Sequence, residues 1–191
     1  MTIKAKACKS CRCAFMPTRP MQVVCGPMCG IERAKKKREA DEKKAKAVEA
    51  KQDRAKKESL KTIPKLRAEA QVEFNKFIRT RDAEQPCISC GKPPGDLSGL
   101  HAGRDAGHYR STGAASHLRF DERNCHAQCV HCNQHLAGNV VQYRIGLIER
   151  IGVEALDSLE SDNDPVKWDR DTLRQIKVIY RAKTRELKRN A

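Results

Sequence analysis

Cys87-x2-Cys90 and Cys129-x2-Cys132 stand on either side of a 38-residue segment that carries four histidines and Asn124, and this spacing limits the fold more than any other feature of the chain. Two converging chelate loops supply four soft thiolates in a tetrahedron, the arrangement of a structural zinc site, and they need no large hydrophobic core to do so. A second set lies near the N-terminus, where Cys8-x2-Cys11 and Cys25-x3-Cys29 offer four more ligands. Cys13 is then left over. It is an alternative to Cys11, but Cys8-x2-Cys11 is the commoner knuckle.

The composition agrees with metal in place of core. The chain has 191 residues and only 4% aromatics, which favours small zinc-stapled modules over one large core. With ten cysteines and no charged-then-apolar leader, the expected compartment is the reducing cytoplasm, where paired C-x2-C spacings signify metal and not disulfides. No apolar run reaches the roughly 18 residues of a membrane span, so no membrane partner is expected. The formal net charge is +15. Two Zn(Cys)4 centres would each add −2 and leave about +11. The natural partner of such a chain is a polyphosphate, nucleic acid before an anionic membrane surface.

An α+β class built of small modules is expected, in three segments. Residues 1–30 form a zinc knuckle carrying Lys4, Lys6, Lys9, Arg12 and Arg19 without an acidic residue. Residues 31–63 form a charged helix or linker, with 13 basic and seven acidic residues between Ile31 and Lys61. Glu32/Lys36, Glu39/Lys43, Glu42/Lys46 and Asp53/Lys57 place acid four residues before base, the better orientation on a helix. Between Ile31 and Lys61 the large apolar residues are Ile31, Val48 and Leu60, so this stretch reads as a solvated single helix and not a coiled coil. Residues 64–191 carry three apolar stripes. Pro64 opens a helix with Leu66, Ala70, Phe74, Phe77 and Ile78 on one face. Val141, Ile145, Ile148 and Ile151 mark a second helix ending at Gly152. A third starts near Asp169 with Leu173, Ile176, Ile179 and Leu187.

The segment DAGHYRSTGAASHLRFDERNCHAQCVHCNQHLAGN, Asp105 to Asn139, reads as strand, Gly-containing turn, strand, then helix from about Cys132. This ββα order presents a strand side chain to a helix side chain across one metal. His108 is the candidate general base, because an imidazole of pKa near 6.5 can take a proton from water at neutral pH. Asn124 would hold the His108 ring or the loop backbone, while Asn133 and His135 would approach a metal from the helix. A zinc with four thiolates keeps no open position for water. A catalytic cation would therefore be a separate Mg2+ or Mn2+. Arg104, Arg110, Arg119 and Arg123 surround the segment as candidate contacts to DNA phosphates.

The pattern C-x2-C, H, N, C-x2-C-N resembles the HNH (His-Me finger) endonucleases, whose fold is a ββα-metal, treble-clef-like domain. More closely, the run DAGHY, LRF, ERN, QC-x2-CNQH, GN resembles the NinG (Rap) family of lambdoid phage recombination endonucleases, and with the N-terminal cysteines and Lys-rich helix the likeness spans nearly the whole chain. The resemblance implies hydrolysis of branched DNA such as Holliday junctions and D-loops inside a bacterial host. It assigns the base to His108, orientation to Asn124, a metal ligand to Asn133 and structural zinc to Cys87, Cys90, Cys129 and Cys132. Host recombination proteins are a further partner class, and symmetric junction cleavage would favour a homodimer.

One departure stands out. Many HNH proteins place Asp directly before the catalytic His, whereas here Gly107 sits there and Asp105 lies three residues upstream. An odd offset in a strand points to the opposite face, so Asp105 reaches a shared metal only if the backbone bends, and His135 is the alternative ligand. His126 is a weaker candidate; His101, His117 and His131 read as surface or knuckle residues. The competing functional class is a non-enzymatic zinc-finger nucleic-acid-binding protein serving recombination or transcription.

Overall fold

The computed structural model describes residues 4–94 and 103–190, so His101 lies outside the described residues. The chain divides into two compact units at residues 61 and 62. Among the described residues no helix is long and apolar enough to cross a membrane.

In the first unit, β1 (Lys6–Ala7) pairs antiparallel with β2 (Ala14–Phe15), and the knuckle lies between them. The helix α1 follows at Pro27–Ser59 with Gly26 as N-cap. Proline suits the first turn because its missing N–H would have no helical partner there. No residue of α1 is buried, as its scarcity of apolar positions predicts, and Glu32 closes on Lys36 at 2.7 Å.

The second unit is a hairpin held between two helical layers. The helix α2 (Ile63–Arg81) is capped by the Thr62 hydroxyl and buries Leu66, Ala70, Phe74, Phe77 and Ile78, the stripe that its spacing predicts. The helix α5 (Arg170–Asn190) starts where expected, with the Asp169 carboxylate accepting the Asp171 and Thr172 N–H groups at 2.8 Å. Phe74 meets Tyr180 edge-on at 4.8 Å and Phe120 at 5.7 Å. Lys177 binds Glu69 at 2.7 Å and Arg181 binds Glu73 at 2.6 Å. Each pair is 108 residues apart, so α2 and α5 run parallel.

Between them in sequence lie β3 (Arg104–His108) and β4 (Cys125–Cys129), paired antiparallel from Arg104↔Cys129 to His108↔Cys125. Ala106 and Cys125 face the α2–α5 core. The opposite face meets α3 (Val140–Ile151) and α4 (Val153–Ser161), whose core joins Ile88, Leu118, Tyr143, Leu147, Leu156 and Leu159. The stripe expected on α3 is rotated: Val141 and Ile145 are exposed, while Tyr143 and Leu147 are fully buried. Tyr143 sets this rotation because its hydroxyl donates to the Gly107 carbonyl at 2.7 Å and accepts from the His126 N–H at 2.9 Å. On α5, Ile179 is likewise exposed, its inward place taken by Tyr180 and Thr184. A short π-helical turn, His131–His135, occupies the place where a continuous helix from Cys132 is expected.

Phe74 is central to the larger core. Phe74→Ala should therefore cost about 3–5 kcal/mol in chemical denaturation of the second unit. Val48→Ala on the unburied α1 should stay within about 0.5 kcal/mol.

Candidate metal centres and the hairpin faces

Both cysteine sets converge. The Sγ atoms of Cys8, Cys11, Cys25 and Cys29, and separately those of Cys87, Cys90, Cys129 and Cys132, all lie within 4.8 Å of one another. Cys11 and Cys29 each stand 3.5 Å from Cys25, and Cys90 stands 3.8 Å from Cys129. A tetrahedron with Zn–S bonds of about 2.3 Å has S···S edges near 3.8 Å, so both sets fit zinc. Cys13 is outside the first set; its thiol faces the Cys11 carbonyl at 3.8 Å.

The two knuckles share one backbone design. In the first, Cys8 N–H donates to the Cys13 carbonyl and Arg12 N–H to the Cys8 carbonyl, each at 2.9 Å. In the second, Cys87 N–H donates to Lys92 and Gly91 N–H to Cys87, again at 2.9 Å. The turning residue is left-handed in both, Arg12 at φ 61° and Gly91 at φ 67°. Burial pushes the Cys87 thiol up, but N–H groups such as that of Cys129, 3.3 Å away, bring it down to about 7. Those bonds favour the thiolate that a metal requires.

The hairpin sorts the other candidates onto opposite faces. His108 shares its face with Ala106 and lies 6.0 Å from the Phe74 ring. One ring nitrogen meets the Arg119 carbonyl at 3.0 Å and the other the Cys125 thiol at 3.8 Å. Burial pushes its pKa below the ordinary histidine range; the bond to the Arg119 carbonyl opposes this and the Arg119 charge reinforces it. Asp105 points the other way, where its Oδ2 accepts from Asn133 at 2.7 Å and Gln134 at 2.8 Å. The structure thus joins Asp105 to Asn133 and separates both from His108. The sequence expects a strand histidine and a helix asparagine across one metal; because β3 stays regular, parity sets the His108 side chain and the Asp105–Asn133 pair on different faces of the hairpin. Gly107 leaves no room for the missing carboxylate: a Cβ there would lie 2.2 Å from Gln128 Oε1.

Asn124 is fully buried and locks the loop after His108. Its Oδ1 accepts from Arg110 N–H at 2.8 Å, and its Nδ2 donates to the Arg110 and Leu118 carbonyls at 3.0 and 3.2 Å. His135 is exposed on the π-helical turn, 5.9 Å from the His131 ring. His117 meets the Asp162 carbonyl at 2.8 Å. His126 is buried with Asp82, whose carboxylate accepts from Arg81 at 2.7 Å and from the Ala127 N–H at 2.9 Å. Burial raises the Asp82 pKa, but His126 and Arg81 hold it well below the usual carboxylate range. His126 thus belongs to a buried ionic group joining α2 to β4, and no motif in the sequence marks its partners.

The four arginines expected at DNA all bond within the fold, Arg119 with its Nε left unpartnered. Arg104 donates to the carbonyls of Asp82, Gln85 and Lys92. Arg110 binds the carbonyls of Leu159, Glu160 and Asp162 at the end of α4. Arg123 forks onto Asp121. Arg119 holds the Thr112 carbonyl and Gln71. Carbonyl acceptors leave no trace in a sequence, so these roles are invisible there.

A mixed helical protein with small two-stranded sheets and two tetrathiolate clusters is the class that this geometry defines. The family model described as Bacteriophage Lambda NinG protein matches residues 1–190, and the chain belongs to the NinG family. It is 44% identical to Protein ninG of Salmonella phage P22 over 197 residues, covering 96% of this chain and 94% of the relative. With Protein ninG of Escherichia phage lambda the identity is 42% over 197 residues, covering 96% and 93%. No solved structure matches.

Metal analysis of fully loaded protein should give two zincs per chain, and a value of one would remove the N-terminal assignment. Cys129→Ser should unfold the second unit, since zinc binding of about 10–16 kcal/mol in small zinc peptides rivals a domain's whole stability. Cys8→Ser should leave that unit's circular dichroism and melting intact.

Proposed function

We propose that this protein is a divalent-cation-dependent DNA endonuclease with His108 as its general base, acting on branched DNA such as Holliday junctions as the family resemblance implies. The observation that carries this reading is the Asn124 amide, which fixes the loop behind His108 through three hydrogen bonds and so holds the end of β3 in one geometry. A neutral, partly desolvated imidazole at that position suits proton abstraction from water at neutral pH.

The oxygen donors for a hard cation are Asp105 and Asn133. The Asn133 amide now donates to Asp105; turned over, it offers an oxygen beside a carboxylate, a donor pair that suits Mg2+ completed by water. When bound, such a cation would stabilise charge on a phosphoryl oxygen. Strand β3 has β4 as its hydrogen-bonded neighbour among the described residues. A ligand approaching the other edge of β3 can reach side chains of both faces.

The separation of His108 from Asn133 favours a second reading, a zinc-containing nucleic-acid binder without catalysis. Labelled linear and four-way DNA, with and without Mg2+, distinguishes the two. His108→Ala should lower Mg2+-dependent cleavage by about 10² to 10⁴ with both zincs and junction binding retained; wild-type cutting by this variant would remove His108 as the base. Asp105→Asn or Asn133→Ala should raise the Mg2+ concentration needed for half-maximal rate. Because the base must be neutral and its pKa lies below the ordinary value of about 6.5, the rate should hold from pH 8 down to about 6.5 and fall only below it. A profile already falling above pH 7 would contradict the lowered His108 pKa.

A further inference from the structure

Arg67, Gln71 and Phe74 share one face of α2, at helical offsets of four and three residues. Gln71 Oε1 accepts from Arg119 at 3.2 Å. Phe74 lies beside His108, whose ring bonds to the backbone carbonyl of that same Arg119. Arg67 and Arg119 are therefore neighbours where α2 meets the segment whose Arg119 carbonyl bonds to the His108 ring.

Both guanidiniums are half-buried, and the Nε of each is buried without a hydrogen-bond partner. Among the described residues neither forms an ion pair. The acids nearby on α2, Glu69 and Glu73, are bound to Lys177 and Arg181, and Asp121 is bound to Arg123. Burial depresses the Arg119 pKa, and the Arg67 charge adds to this. Two like charges and two unmade hydrogen bonds cost free energy in the unliganded fold. An oxyanion with several acceptor atoms removes both costs at once, and phosphate matches guanidinium forks best.

We propose that Arg67 and Arg119 form a clamp for one backbone phosphate of DNA on the His108 face of the hairpin. The clamp rests on the nuclease reading for its catalytic consequence, the placing of a phosphodiester near His108, but not for its binding.

The test uses full-length, zinc-loaded protein with Arg67→Gln and Arg67→Lys, a labelled four-way junction read by anisotropy over a salt series, and cleavage in Mg2+. Arg67→Gln should reduce the slope of log affinity against log salt by about one and lower cleavage tenfold or more. Arg67→Lys should keep the slope while losing several-fold in affinity, since an ammonium cannot fork. A wild-type slope in Arg67→Gln overturns the clamp, whether or not cleavage falls. A reduced slope in a protein that cuts no DNA supports the clamp and removes the nuclease reading. If Arg67→Gln loses zinc or helix content, Arg67→Lys decides alone, and wild-type affinity there overturns the clamp.

Discussion

The second tetrathiolate cluster is the constraint on which the rest of the larger unit depends. Cys87 and Cys90 belong to the knuckle after α2, Cys129 ends β4, and Cys132 lies in the turn that leads to α3. One ion held there would fix the end of the hairpin and the start of the helix behind it. The adjoining contacts follow: Ile88 N–H reaches the Ala127 carbonyl at 3.2 Å, and Gly146 lets α3 approach so closely that a Cβ would lie 2.0 Å from the Ile88 carbonyl oxygen. A chain with so few aromatic residues depends on such a covalent-like fixing to hold layers together.

The hairpin then behaves as a thin plate whose two faces serve different ends. One face is apolar around His108 and closes against α2 and α5. The other carries Asp105 with its amide partners and receives the Tyr143 hydroxyl. In the proposed activity both faces contribute, so the thickness of a single strand pair sets the distance between base and cation. The same plate explains Gly107, since Gln128 fills the space where a side chain would stand.

Much of this was legible in the sequence, and the limits are physical. The five buried residues of α2, the Asp169 cap of α5, the solvated α1 and both thiolate sets follow from periodicity, capping and chelate spacing. The rotation of α3 does not, because it answers to a hydroxyl seeking partners on the hairpin and not to apolar spacing. Helix α4 spans nine residues and buries only Leu156 and Leu159, too short a repeat to be noticed. Spacing also sets His108 and Asn133 in a family pattern without saying which face of a strand each occupies. Four arginines near the motif suggest phosphate contacts, yet their partners in the fold are mostly backbone carbonyls. Arg67, outside every motif, shares with Arg119 a buried Nε without a hydrogen-bond partner.

The parallel pairing of α2 with α5 has a consequence for the order of assembly. Its ion pairs close loops of 108 residues, and such long-range contacts are entropically expensive and slow to form. As the chain emerges from the ribosome, α2 is complete long before α5 exists, so Phe74 and the His108 face wait without their cover. The half built around the Cys87 cluster can condense during synthesis, whereas the layer beneath His108 closes only after α5 has been made.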